Sequence, residues 1–257
     1  MADGWVRPPR GPLVLDPEQV HVWRASLAPA APVLARLEAH LSDDERARAA
    51  RFRFPRHRTA FVAGRGAQRE ILARYTGLAP AAIAYRATEH GKLELDGAAA
   101  ARGIRFNVSN SGGLALYALA VGREIGVDLE EVRPMPDGMD VARRFFSAPE
   151  NEVFAALPSD ARDGAFFACW TRKEAYIKAV GEGLSMPLDR FDVAFAPGQP
   201  PRLLATRGNP AEAARWTMLE LHPGPGYVAA LAVEGGGWEA VLYDFGESTP
   251  GGEEMGG

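Results

Sequence analysis

The sequence predicts an α+β fold built from two matched halves, and three observations carry that expectation. Short apolar strands alternate with longer helical stretches along most of the chain. A serine–glutamate–phenylalanine pattern, followed by a basic–Glu pair, occurs twice at one spacing. Segments rich in Gly, Pro and charge bound the chain, so residues 1–12 and 247–257 read as flexible tails.

Taken in order, Val20-His21-Val22-Trp23 reads as a first strand. Ser42 begins a helix as its N-cap, and Glu45 three residues later completes a capping box. Thr59 to Tyr75 is helical by periodicity, with Phe61, Ile71, Leu72 and Tyr75 on a buried stripe and Gly77 as its stop. Ile104 to Ser109 alternates apolar and polar residues, as a half-buried strand does, and Leu114 to Val121 is a nearly unbroken apolar strand. Gly112-Gly113 makes the turn between them. Ser147 and Glu150 repeat the capping box, and Phe166 follows Ser147 by the same 19 residues that separate Phe61 from Ser42. Each phenylalanine leads into a helix holding Arg69-Glu70 or Lys173-Glu174, and each helix runs into Gly-Leu. The period is too long for a solenoid and predicts a duplicated domain, 13–122 and 123–246.

Composition narrows the function. With 257 residues, 47% hydrophobic and 24% charged, the chain has ample length for a real core. Its net charge of −4 offers no overall field for nucleic acid. Cys169, the single cysteine, sits in the apolar run Phe166 to Trp170 and reads as a buried core thiol. No stretch has the apolar length of a membrane helix, and Met1 to Gly11 lacks the core of a signal peptide, so a soluble cytoplasmic protein is expected.

Four groups of residues can carry chemistry. In Ile125-Gly126-Val127-Asp128-Leu129-Glu130, strand alternation turns the apolar residues one way and projects Asp128 and Glu130 together from the other face. Such a pair suits a hard cation, magnesium or manganese, and equally a solvated strand face. On a helix, Trp170, Glu174 and Lys178 form one stripe, so Glu174 is either partly desolvated and in need of a cation or half of a wet Glu–Lys pair. Asn107 to Gly113 offers hydroxyls, amides and a flexible backbone to a phosphate, although a hairpin turn explains Gly112-Gly113 as well. Nine basic residues between Arg46 and Arg69 stand out in an acidic protein, and part of them can clamp a multiply phosphorylated small molecule.

The order Phe106-Asn107-Val108-Ser109-Asn110-Ser111-Gly112, Gly126-Val127-Asp128-Leu129-Glu130, Arg144-Phe145-Phe146-Ser147, Trp170-Thr171-Arg172-Lys173-Glu174-Ala175-Tyr176-Ile177-Lys178 and Gly181-Glu182-Gly183-Leu184-Ser185-Met186-Pro187-Leu188 resembles the 4′-phosphopantetheinyl transferases of the Sfp type. The resemblance implies two pseudo-symmetric halves with the active site at their interface. It implies transfer of the phosphopantetheine arm of coenzyme A, the co-substrate, to a serine of an acyl or peptidyl carrier protein, with release of adenosine 3′,5′-bisphosphate. By matching positions, Asp128, Glu130 and Glu174 would hold magnesium, Lys178 would contact the phosphate and assist the leaving group, and Lys173 would support binding. Glu150 matches the candidate base position. Ser109, Asn110, Lys92 and some of Arg46, Arg58 and Arg65 would hold the nucleotide end. A monomer can build such a site alone, and secondary metabolism is the expected setting. Two positions depart from the pattern: Asn110 stands where histidine is usual, and Leu93 where proline is usual. The same carboxylates would also serve a magnesium-dependent pyrophosphatase of coenzyme A or nucleotides, and a catalytically weak homologue that only binds its partners would keep the same fold.

Overall fold

The computed structural model describes residues 4–246. Strand β1 (Gln19–Ser26) is followed by helices α1 (Ala31–Ala39), α2 (Asp43–Ala50) and α3 (Pro55–Thr76). A hairpin of β2 (Ala84–Ala87) and β3 (Leu93–Asp96) comes next, then β4 (Ile104–Ser111) and β5 (Leu114–Val121). The same order then recurs: β6 (Ile125–Glu131), α4 (Gly138–Phe145), α5 (Ala148–Ala156), α6 (Ser159–Val180), the hairpin β7 (Phe191–Ala194) and β8 (Arg202–Thr206), then β9 (Trp216–Leu221) and β10 (Tyr227–Glu234). Strand β11 (Glu239–Asp244) follows. The duplicated pattern in the sequence is therefore a duplicated α+β architecture.

Local signals explain the repeat. Ser42 and Ser147 each accept a bond from the backbone N–H of the glutamate three residues on, and Glu45 and Glu150 bond back to the serine N–H. Helices α3 and α6 both have 22 residues, and each ends at a left-handed glycine, Gly77 or Gly181. In each copy the capping-box glutamate also pairs with a buried cation of the long helix, Glu45 with Arg69 at 2.6 Å and Glu150 with Lys173 at 2.7 Å. Arg69 donates onward to the carbonyls of Pro80 and Ile83, and Lys173 to those of Leu188 and Phe191. Each network thus ties the short helix, the long helix and the approach to the hairpin.

The sheets run β11-β1-β5-β4 and β6-β10-β9, so in each copy the opening strand pairs with the last. They stack face to face. Val20, Val22, Leu116 and Ala118 meet Ile125, Val127, Leu129, Leu231 and Val233 in the central core. The alternate residues Trp23, Tyr117 and Leu119 turn outward under α3, and Ala230 and Ala232 turn outward under α6. The layers are helix, sheet, sheet, helix. Strands covered on both faces have no reason to alternate, which accounts for the apolar run Leu114 to Val121.

Two expectations need correction. Strand β11, counted with the second half in 123–246, pairs in parallel with β1, from Gln19 beside Glu239 to Arg24 beside Asp244. That pairing covers an edge of β1 that solvent would otherwise reach. The segment expected as a loose N-terminal tail packs in part: Val6 exchanges backbone bonds with Leu242 and Asp244, and Trp5 Nε1 donates to the carbonyl of His222. Residues 1–3 and the expected tail at 247–257 lie outside the described residues. No described helix is long and apolar enough to cross a membrane.

One contact sets the spacing between β6 and α6. A Cβ at Gly126 would lie 2.1 Å from the Ala175 carbonyl oxygen and 2.4 Å from the Ala179 nitrogen, both backbone atoms of the helix. Gly126→Ala should therefore push α6 off β6 and cost roughly 3 kcal/mol of stability, at the upper end for overpacking. Denaturant unfolding checks this; an unchanged midpoint would show that the helix can yield at no cost.

Candidate active site

Strand β4 turns one face into the core of the first half, through Ile104 and Phe106. Its other face, Arg105, Asn107, Ser109 and Ser111, meets the segment from Glu124 to Glu131. Arg105 pairs with Glu124 at 3.2 Å. Asn107 Oδ1 accepts from the backbone N–H of Val127 at 3.0 Å, Ser109 Oγ from Leu129 at 3.3 Å, and Ser111 Oγ from Glu131 at 3.1 Å. Side chains thus replace the backbone ladder that would otherwise join β4 to β6. This is the work of the polar run that a hairpin turn does not explain.

The serine hydroxyls also donate across the seam, Ser109 to Asp128 Oδ1 and Ser111 to Glu130 Oε2, both at 2.9 Å. Asp128 and Glu130 therefore stand on the β6 face that looks toward α6, the face that Gly126 opens. There Lys178 Nζ reaches Asp128 Oδ1 at 2.6 Å and Ser109 Oγ at 3.0 Å. Trp170, Glu174 and Lys178 are all half-buried, as the stripe predicts. From Ala165 to Ala179 every remaining position of α6 except Ala168 is buried.

Asp128 is only 4% exposed. Burial pushes its carboxyl above the ordinary range, with Lys178 and Ser109 opposing and Glu130 adding to the rise. Glu174 is raised as well, by burial first and then by the charges of Asp128 and Glu130. Asp128 Oδ2 is buried and has no hydrogen-bond partner. A cation beside that oxygen would relieve both the orphaned acceptor and the repulsion, and oxygen donors suit magnesium. The three carboxylates thus fit a hard divalent ion chemically. As they stand, though, no group of three His, Cys, Asp or Glu side chains among the described residues is gathered tightly enough to hold a metal. Lys178 and Ser109 hold Asp128 Oδ1, and Ser111 holds Glu130 Oε2.

A cavity of about 690 Å³ opens beside this cluster, between α3, β4, β5 and α6, within the usual range of ligand pockets. Arg65, Lys92, Asn110, Glu174 and Lys178 line it. Lys92 bonds Glu124 and the Ala179 carbonyl, both at 3.0 Å, and so bridges the copies. Ser109 lies behind the wall at 6% exposure and acts through Lys178 and Asp128.

The other sequence-expected site residues stand elsewhere. Glu150 is 2% exposed; its oxygens accept from Ser147 N–H and Val193 N–H and pair with Lys173, so it has no path to the cavity as a base. Lys173 is fully buried, with Phe191 beneath its ammonium, and lies outside the cavity lining. The equivalent lock between Glu45 and Arg69 marks the Glu150–Lys173 pair as scaffold. Arg46 turns to the Leu41 carbonyl and Asp43, and Arg58 to Glu38; neither lines the cavity. Sequence reasoning missed His57, Gln68 and His90, which do line it. Their only signal was position: His57 in the basic cluster, Gln68 beside Arg69, and His90 beside Gly91-Lys92.

Two family models match the two copies in turn. A family model described as "4'-phosphopantetheinyl transferase, N-terminal" matches residues 25–121, and one described as "4'-phosphopantetheinyl transferase superfamily" matches 124–232. Among curated relatives, the 4′-phosphopantetheinyl transferase HetI of Nostoc sp. strain PCC 7120 is 41% identical over 239 residues, 93% of this chain and 97% of that protein. The transferase Sfp of Bacillus subtilis strain 168 is 32% identical over 160 residues, 62% of this chain and 68% of its own length. With HetI matched from end to end at that identity, this chain belongs to the 4′-phosphopantetheinyl transferase family.

Proposed function

We propose that the chain moves the 4′-phosphopantetheine group of coenzyme A onto a serine of an acyl or peptidyl carrier protein, with magnesium, and releases adenosine 3′,5′-bisphosphate. The carrying observation is the meeting of Asp128, Glu130, Glu174 and Lys178 at one edge of a cavity large enough for a nucleotide-bearing ligand. The serine oxygen forms a bond to the phosphorus that carries the pantetheine arm. The bond from that phosphorus to the bridging oxygen breaks, and the electron pair leaves with the adenosine bisphosphate.

The chain's own groups supply the rest. Lys178, already at the carboxylate cluster, offers an ammonium to the phosphate that gathers charge. The serine proton passes to the carboxylate of Glu174, which lines the cavity. Asp128, Glu130 and Glu174 would hold magnesium, which supplies charge neutralisation at the pyrophosphate. Lys92, Arg65 and Asn110 line the same cavity and bind the nucleotide end; Asn110 can donate a hydrogen bond but carries no charge. Ser109 orients Asp128 and Lys178. Because the nucleophile belongs to the carrier, this chain needs none of its own. Both copies contribute to one cavity, so a monomer is the simplest working form.

An apo carrier protein incubated with the chain, coenzyme A and magnesium should gain the mass of phosphopantetheine. Cleavage of coenzyme A with no gain on the carrier would indicate a pyrophosphatase, and neither event would indicate a binding module. In the same assay Asp128→Asn and Glu174→Gln should each lower kcat/KM by about 10³-fold or more, in line with loss of an electrostatic group in a closed site. Near-normal turnover in both would remove these carboxylates from the reaction.

Stability should move the other way. A carboxyl whose folded pKa is raised makes folding less favourable as pH climbs from the ordinary range near 4 through the raised value, because the native state then loses a proton it held more tightly. Glu174→Gln imitates the protonated form and removes that penalty. Its melting temperature should match the wild type near pH 4 and exceed it at pH 7, by a few degrees. A lower melting temperature at pH 7 would show that Glu174 stabilises the metal-free chain.

A further inference from the structure

Gln68 lies on α3, one turn beyond Gly64, with 5% of its surface exposed, and it lines the cavity. Its Oε1 accepts from Arg65 Nη1 at 2.9 Å. A guanidinium only donates, so this bond fixes the amide: a flipped side chain would set N–H against N–H. The Nε2 is therefore turned away from Arg65, and it is buried with no partner. A buried amide donor left unpaired is costly, and native chains keep few of them.

One turn back, at Gly64, the cavity wall is apolar. Leu27 and Tyr117 close around Gly64, where an added Cβ would meet Leu27 at 3.2 Å, and the Tyr117 hydroxyl is spent on the Gly64 carbonyl at 2.7 Å. Ala115 adds to this wall. Lys92 and Lys178 lie with α6 and its C-terminal glycine, and the charge of Arg65, beside Gln68, is already paired with Glu45 at 3.4 Å. A dianion beside Leu27 and Tyr117 would lose its hydration next to a guanidinium already shared with Glu45 and Gln68. An uncharged acceptor fits there.

We propose that Gln68 is a specificity-determining residue, whose Nε2 donates to an uncharged hydrogen-bond acceptor of coenzyme A lodged against the apolar wall of α3 and β5. The inference rests on coenzyme A being the ligand of this cavity. That substrate offers such acceptors in two places, the amide carbonyls of the pantetheine arm and the ring nitrogens of the base. Both share the chemistry that the free amide reads.

The test uses the full chain and Gln68→Leu, with steady-state kinetics and calorimetric titration of coenzyme A, adenosine 3′,5′-bisphosphate and 4′-phosphopantetheine. KM for coenzyme A should rise about fivefold, the size of one neutral hydrogen bond, while kcat changes less. One of the two fragments should weaken by the same factor, and that fragment names the source of the acceptor. The melting temperature should hold or rise, because the variant removes an unpaired donor. If Gln68→Leu does not fold, Gln68→Met enters the same measurements. Unchanged coenzyme A affinity and KM in a folded variant would overturn the proposal, and so would equal weakening of both fragments. Failure of the wild-type chain to bind coenzyme A would instead overturn the assigned function.

Discussion

The side-chain ladder between β4 and β6 is the interaction on which the site depends. A backbone ladder between those strands would have satisfied the N–H groups of Val127 and Leu129 with no help from the sequence. Here Asn107 and Ser109 accept from them, and the hydroxyls of Ser109 and Ser111 donate onward to Asp128 and Glu130. One set of atoms therefore joins the two copies and orients the carboxylates. Each bond contributes about 1 kcal/mol net, but losing an acceptor would orphan a buried N–H as well. The seam resists change for that second reason.

Duplication supplies the frame and leaves the chemistry to the places where the copies differ. Both carry a capping box, a glutamate–cation lock and a 22-residue helix ended by glycine. The opening strands diverge. On its face under α3, β1 carries His21, Trp23 and Ala25, all buried, whereas β6 carries Gly126, Asp128 and Glu130 on the face under α6. Gly126 lets the helix backbone approach to contact distance, and that approach brings Lys178 within 2.6 Å of Asp128. With Lys178 there, the charge of Asp128 is tolerated at the seam; with Glu174 also nearby, two of the carboxyls are held above their ordinary range.

Much of this was legible in the sequence, for identifiable reasons. Ser42–Glu45 and Ser147–Glu150 are local signals that fold as they read, and Gly77 ends its helix as expected. Strand alternation paired Asp128 with Glu130, and helical spacing put Glu174 and Lys178 on one stripe. The seam was illegible because Asn107, Ser109 and Ser111 bond to residues about 20 positions away, and no local rule links those segments. Glu150 and Lys173 were misplaced for a related reason: a motif names residue types, while burial and partners decide whether they reach a ligand. The pairing of β11 with β1 spans most of the chain, so assigning it to the second half followed sequence order and missed the sheet.

Whether the seam carboxylates form a metal-binding edge of the cavity is decided by calorimetric titration of magnesium into the chain with coenzyme A present, on wild type, Asp128→Asn and Glu174→Gln. The wild type should show one magnesium site and both variants should lose it, with the fold intact by circular dichroism. A site that survives in either variant with unchanged affinity would contradict that assignment.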